Sequence, residues 1–139
     1  MRRVKILLID DDEMNNYFMK RKIGEMGSGS ACKAFTSGQL ALEYLRKADR
    51  QQNGRNFPEV IFLDLQMPMM NGFEFLEQYE AAFFSQHPNT KVIAVSKVLR
   101  PAERSKMRNY KSVAYYISKE SIVGVIKEVL EGGIRTTSQ

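Results

Sequence analysis

A single cysteine, Cys32, and a single histidine, His87, leave this chain almost without soft metal ligands. One thiol forbids an intramolecular disulfide and any thiolate cluster, and with one histidine zinc has no ligand set. Cys32, in Ala31-Cys32-Lys33-Ala34-Phe35, reads as a small buried strand residue, and His87 beside Pro88 as part of a loop. Long apolar runs are missing too: nothing approaches the roughly 18 residues that cross a bilayer. The start, Met1-Arg2-Arg3-Val4, leads into a strand pattern broken by aspartates. Neither a signal peptide nor an anchor is expected, and the expected location is cytoplasmic. The net charge of +5 and pI near 9.4 come from scattered residues, grouped locally at Arg2–Arg3, Lys20-Arg21-Lys22 and 100–111. Without a groove-reading motif, no specific DNA binding and no membrane partner are expected.

What is present suits one domain: 139 residues with 43% hydrophobic residues bury a single core. It is read as a domain over residues 1–131 and a short C-terminal tail over 132–139, of which residues 134–139 are expected to fray. Five short apolar segments, at residues 5–9, 31–35, 60–63, 92–95 and 113–117, alternate with segments of helical period. That alternation predicts an α/β fold, a parallel sheet with helices on both faces. The runs Ile61-Phe62-Leu63 and Val92-Ile93-Ala94-Val95 lack polar alternation, as doubly covered strands do.

The first helix is predicted over residues 13–26 on a stripe of Phe18, Met19, Ile23 and Met26 ending at Gly27. Ser37 caps a second through Leu40, Ala41, Leu42 and Leu45, and Asn71 or Gly72 opens a third with Phe73, Phe75, Leu76 and Tyr79. Pro101 starts a polar fourth helix through Arg104, Met107 and Tyr110. The last, about residues 121–130, lines up Ile122, Val125, Ile126 and Val129. Ser28-Gly29-Ser30 reads as a helix-to-strand turn, and residues 49–58 as one long polar loop.

Asp10, Asp11 and Asp12 follow directly on Val4-Lys5-Ile6-Leu7-Leu8-Ile9, and Asp64 closes Val60-Ile61-Phe62-Leu63. In a right-handed wound sheet these two strand ends share a crevice where the strand order reverses. Ser96 after the fourth strand and Lys119 after the fifth fall at the same edge. Carboxylates of Asp11 and Asp64 suit a direct bond to Mg2+, with Asp10 acting through water and further waters completing an octahedron. Lys119 would neutralise phosphoryl charge, Ser96 would donate to a phosphate oxygen, and Asp64 is the natural nucleophile for an acyl phosphate. Asp12 is read mainly as a helix cap.

The order of these residues resembles the response-regulator receiver domain, the phosphoacceptor module of two-component signalling. The resemblance rests on Leu7-Leu8-Ile9-Asp10-Asp11-Asp12-Glu13, on residues 61–72 (Ile61-Phe62-Leu63-Asp64-Leu65-Gln66-Met67-Pro68-Met69-Met70-Asn71-Gly72), on Ile93-Ala94-Val95-Ser96 and on Tyr116-Ile117-Ser118-Lys119. It implies a flavodoxin-like doubly wound five-stranded sheet, (βα)5, in the order 2-1-3-4-5. It implies Asp64 as phosphoacceptor, Asp10 and Asp11 as the acidic pair, and the backbone carbonyl of Gln66 as a further ligand for Mg2+ or Mn2+. Ser96 would be the switch hydroxyl, Lys119 the phosphate-binding lysine and Tyr116 the switch aromatic.

Three rim positions depart from the family pattern. Glu120 follows Lys119 where proline is usual, commonly after a cis bond. A cis link before a non-proline residue costs about 2.5–4 kcal/mol, so a trans link or a differently shaped loop is expected. Lys97 stands where a small residue is usual, either folding over the phosphoryl site or pointing to water. Val98 and Gln66 flank the path of a hydrolytic water, and an apolar Val98 offers it no hydrogen bond, which implies a long-lived phosphoryl group.

By this resemblance the chain is a stand-alone phosphoacceptor, not a turnover enzyme beyond slow self-dephosphorylation. It would be charged by a sensor histidine kinase or a histidine phosphotransfer protein through Met14 and Tyr17. It would pass the signal to an unidentified protein target through the face formed by the fourth helix, the fifth strand and the fifth helix. No output domain is expected to follow. The alternative is a phosphorylation-independent pseudo-receiver. A Mg2+-dependent phosphatase is disfavoured because Gln66 stands where such an enzyme needs an acid or base, and a flavin binder because the first turn is acidic.

Overall fold

The computed structural model describes residues 3–27 and 29–133. Met1, Arg2, Ser28 and the tail from residue 134 onward, with the expectations attached to them, lie outside it. Strands β1 (Lys5–Ile9), β2 (Ala31–Phe35), β3 (Val60–Asp64), β4 (Lys91–Ser96) and β5 (Val113–Ser118) form one parallel sheet in the order β2-β1-β3-β4-β5. Every residue of β3 and β4 is buried, as strands covered on both faces require. The last three strands are longer than their apolar runs, so Asp64 and Ser96 are strand residues paired with Val95 and Ser118. Polar side chains hid those ends in the sequence.

Among the described residues five helices cover the sheet: α1 (Glu13–Met26), α2 (Gly38–Arg50), α3 (Gly72–Tyr79), α4 (Pro101–Met107) and α5 (Ile122–Leu130). One core cluster joins Leu7, Ile9, Leu42, Leu45, Ile61, Phe75, Leu76, Tyr79 and Met107, which places α2, α3 and α4 on one face. The other joins Ile6, Leu8, Met19, Ile23, Phe62, Ile93, Val125, Ile126 and Val129, which places α1 and α5 on the opposite face. Alternate residues of β1 and β3 feed the two clusters, the period-2 geometry of a strand. On β5 the same alternation sends Tyr115 to the α1/α5 side and Tyr116 to the α4 side.

Side-chain caps set three helix starts. Asp12 accepts from the Met14 and Asn15 amides, Ser37 from Leu40, and Asn71 forms a reciprocal capping box with Glu74. Four expectations need correction. Residues 49–58 are not one long loop: α2 runs through Asp49 to Arg50, and Gln51–Gly54 forms a 3-10 turn with Gln52 and Asn53 at positive φ. Polar composition marked exposure there, not irregular backbone. Phe18 is not a core residue but is 45% exposed beneath the Lys22 ammonium, while Asn16 is buried on the same helix. The fourth helix, expected to run through Tyr110, ends at Met107, and Tyr110 is buried just beyond it. Cys32 is half-buried because β2 is an edge strand, although burial still pushes its thiol up to about 11.

His87 closes the end of the molecule away from Asp10, Asp11 and Asp64. Its ring stacks on Phe57 at 3.6 Å, and Nε2 lies 2.6 Å from Asp49 Oδ1, joining the end of α2 to the segment before β4. A π-helical turn, Glu80–Phe84, extends α3 and buries Phe83. At the other end, Gly72 allows α3 to start directly against the β3 strand end. A Cβ at Gly72 would lie 2.8 Å from Leu65 Cα, and backbone there has no room to yield. Gly72→Ala is expected to destabilise by about 1–3 kcal/mol, the range for overpacking; thermal unfolding measures it, while Gly124→Ala, with open space at its Cβ, is the control.

Candidate functional site

The carboxyl edge of the sheet collects the acidic residues. Asp10 follows β1, and its Oδ1 accepts from the Asp12 amide at 2.9 Å while Asn16 Nδ2 donates to its backbone carbonyl at 2.9 Å. Asn15 Nδ2 donates to Asp10 Oδ2 at 3.4 Å. These contacts fix Asp10 at the start of α1, where the Asp12 cap has already set the turn. Asp64 ends β3, is 4% exposed, and accepts from the Gln66 amide at 3.0 Å. Asp11 is exposed beside them, and one carboxylate oxygen from each of Asp10, Asp11 and Asp64 lies within 4.8 Å of the others.

Such crowding of anions demands compensation. Lys119 supplies part of it: Nζ stands 3.6 Å from Asp10 Oδ2 and 3.9 Å from Asp64 Oδ2. Lys119 opens a 3-10 turn, Lys119–Ser121, whose link to the exposed Glu120 is trans. Even so, the Asp64 carboxyl is pushed up to about 7. Burial is the main cause and the neighbouring Asp10 adds to it, against the opposing pull of the Gln66 amide and Lys119. An oxygen-only donor set that short of positive charge fits a hard divalent cation such as Mg2+.

Ser96, 1% exposed, is held away from solvent by several partners. Its Oγ donates to the Val98 carbonyl at 3.0 Å and accepts from Gln66 Nε2 at 3.0 Å. It also lies within donor distance of Gln66 Oε1, 3.3 Å, and Glu103 Oε1, 3.4 Å. Gln66 Nε2 in turn reaches Glu103 Oε2 at 3.3 Å. The Tyr116 hydroxyl donates to Glu103 Oε1 at 2.5 Å and accepts from the Arg100 amide at 2.9 Å. Burial and then Glu103 raise the Tyr116 phenol, and the Arg104 guanidinium lies 5.2 Å from its ring centre. At the rim, Lys97 is exposed and the Val98 side chain is 60% exposed. The pocket thus gathers Asp10, Asp11, Asp64 and Lys119, with Ser96 and the Gln66 side chain adjoining and Tyr116 linked through Glu103.

Three contributors carried little signal in the sequence. Glu103 sits in the first turn of a short helix, and only the docking of α4 brings it to Ser96. Asn15 and Asn16 follow the cap at spacings that a helix turns toward Asp10, which a closer reading of helical period would reach.

A family model described as the response regulator receiver domain matches residues 6–131. The chain belongs to this family. The receiver is 32% identical over 73 residues to the probable methanogenesis regulatory protein FilR2 of Methanothrix harundinacea, covering 52% of this chain and 46% of that protein. It thus spans about half the length of that relative. Among solved structures, a two component response regulator from Cytophaga hutchinsonii superposes with a TM-score of 0.80 at 26% identity, covering 94% of this chain and 99% of that one. The receiver domain of the histidine kinase CKI1 from Arabidopsis thaliana, complexed with Mg2+ and BeF3-, shares the fold with a TM-score of 0.75 at 24% identity, over 93% of this chain and 90% of that one. The receiver is a signalling module of two-component systems, and no helix among the described residues is long and apolar enough to cross a membrane.

The raised Asp64 carboxyl gives a stability signature. It titrates near 7 in the fold against an ordinary 3.8, so between those values the folded receiver keeps a proton that the unfolded chain has released. The stability it contributes is complete below pH 3.8 and is lost as pH rises through 7. In chelator, unfolding should therefore show this contribution falling between about pH 4 and pH 7 and levelling off above that. Asp64→Asn should flatten that slope and raise stability at pH 8 by about 1–2 kcal/mol. Added Mg2+ should stabilise the wild type more at pH 8 than at pH 5, because it competes with that proton.

Proposed function

We propose that residues 1–131 act as one receiver unit that accepts a phosphoryl group from a phosphohistidine onto Asp64. The observation that carries this reading is the convergence of the Asp10, Asp11 and Asp64 carboxylates under the Lys119 ammonium. An Asp64 carboxylate oxygen attacks phosphorus in line, a P–O bond forms, and the P–N bond breaks with its electron pair returning to the donor imidazole. Asp10, Asp11, Asp64 and the Gln66 backbone carbonyl would hold Mg2+, or Mn2+ in its place. The cation supplies charge neutralisation for the phosphoryl oxygens and favours the ionised form of Asp64. Lys119 pairs with the anionic product, and Ser96 donates its hydroxyl to a phosphoryl oxygen.

The donor is a sensor histidine kinase or a histidine phosphotransfer protein. Met14 and Tyr17, 71% and 60% exposed on α1 beside the acidic pocket, offer it apolar contacts. Phosphorylation draws Ser96 toward the new oxygens and lets Tyr116 turn, which changes the α4-β5-α5 face. That face carries a groove of about 590 Å3 lined by Arg104, Met107, Arg108, Tyr115, Tyr116 and Ile117. Residues 97–111 hold six basic side chains and one acidic one, the whole of the chain's +5 excess. Charge complementarity therefore favours a protein target whose docking segment is acidic.

Incubation with acetyl phosphate and Mg2+ followed by intact mass measurement should show one phosphoryl adduct, absent in Asp64→Asn. No adduct in the wild type would leave a phosphorylation-independent interaction module. Ser96→Ala and Lys119→Ala are expected to slow adduct formation by about tenfold or more, since each removes a donor that the developing charge would recruit. Val98→Glu is expected to speed phosphate release by giving the attacking water a hydrogen-bond partner; an unchanged release time course would count against the long-lived phosphoryl group.

A further inference from the structure

Glu103 touches every mobile part of the proposed switch. Its Oε1 accepts from the Tyr116 hydroxyl at 2.5 Å and lies 3.4 Å from Ser96 Oγ, while Oε2 accepts from Gln66 Nε2 at 3.3 Å. Tyr116 in turn accepts from the Arg100 amide, which opens α4. A continuous hydrogen-bonded chain therefore runs from Gln66, two residues past the phosphoacceptor, through Ser96 and Glu103 to Tyr116 and the helix start. Its centre is one carboxylate. Glu103 is the sole acidic residue between positions 97 and 111, among six basic ones, so general surface charge does not account for it.

We propose that Glu103 is a positioning residue that acts as a built-in anionic competitor of the phosphoryl group. This rests on Asp64 being the phosphoacceptor. Ser96 has one hydroxyl proton, so it cannot donate to Glu103, Gln66 or Val98 and at the same time fully donate to a phosphoryl oxygen. In the resting receiver Glu103 holds Tyr116 through a charge-assisted hydrogen bond and presents a negative charge to Ser96. A phosphoryl group on Asp64 brings further negative charge and recruits the Ser96 hydroxyl. Glu103 then loses its contact with Ser96 and is repelled by the new charge, and with it Tyr116 and the first turn of α4 lose their resting anchor. By linkage the effect is reciprocal: whatever phosphorylation does to loosen this latch, the latch does to oppose phosphorylation.

The test uses beryllofluoride with saturating Mg2+ as a non-covalent stand-in for the phosphoryl group, its affinity read by calorimetry. Glu103→Gln, which keeps the shape and removes the charge, is expected to bind it about five- to tenfold more tightly than wild type. Affinity for Mg2+ alone should be the same in both proteins. Raising salt should narrow the gap, because screening weakens a repulsion between charges but leaves a packing effect unchanged. Glu103→Ala, checked for folding by thermal unfolding, should shift affinity in the same direction. Equal or weaker binding by the folded variants, or a gap unaffected by salt, would overturn the latch. Wild-type protein that binds no beryllofluoride would remove the phosphoacceptor reading and the latch with it, a result separable from wild type and variants binding alike.

Discussion

Like-charge crowding at the carboxyl edge of the sheet is the constraint around which this receiver is organised. Parallel pairing of β1 with β3 forces the residues after Ile9 and Leu63 to be neighbours, and the chain has aspartates at both places. Burial of Asp64 makes the repulsion expensive, as its raised carboxyl shows. Much of the surrounding architecture lowers that cost: the Gln66 amide, the Asp12 amide at Asp10, Asn15, and Lys119 brought across from the far end of β5. A fold built only for stability would not gather these anions. Their placement stores an unmet demand for positive charge, and that demand gives the pocket its affinity for a cation and a phosphoryl group in the proposed scheme.

Much of this was legible because it lies in local pattern. Unbroken apolar runs marked the central strands, Asp12, Ser37 and Asn71 marked helix starts, and acidic residues at strand ends marked the pocket edge. Strand ends were read short wherever a polar functional residue was itself the last strand residue, as at Asp64 and Ser96. Residues 49–58 misled because hydrophilic helix and hydrophilic loop have similar compositions. Glu103 was illegible for a deeper reason. Its contacts with Ser96 and Tyr116 depend on where one short helix docks, and no spacing along the chain encodes that.

Charge is partitioned as carefully as packing. Acid collects at the pocket and base on the segment leading from it through α4, so the two regions of unlike sign meet at Ser96 and Gln66. Glu103 sits on the basic side of that boundary while contacting the pocket side. A residue in this place responds to changes in either field, which neither a buried core residue nor a remote surface charge does.

The alternation of Tyr115 and Tyr116 on β5 has a further consequence for the flow of information. The sheet is a wall one residue thick, and adjacent tyrosines face opposite rooms. The α1 side, where an incoming donor would dock in the proposed scheme, shares its core with α5; the α4 side, where Tyr116 would turn, shares its core with α2 and α3. In the proposed scheme a signal crossing between them passes by the strand ends, because β3 and β4 are buried along their whole length. In the proposed scheme the donor surface on α1 and the switch residue Tyr116 thereby lie in separate compartments, and β5 is the element of the output face that borders both.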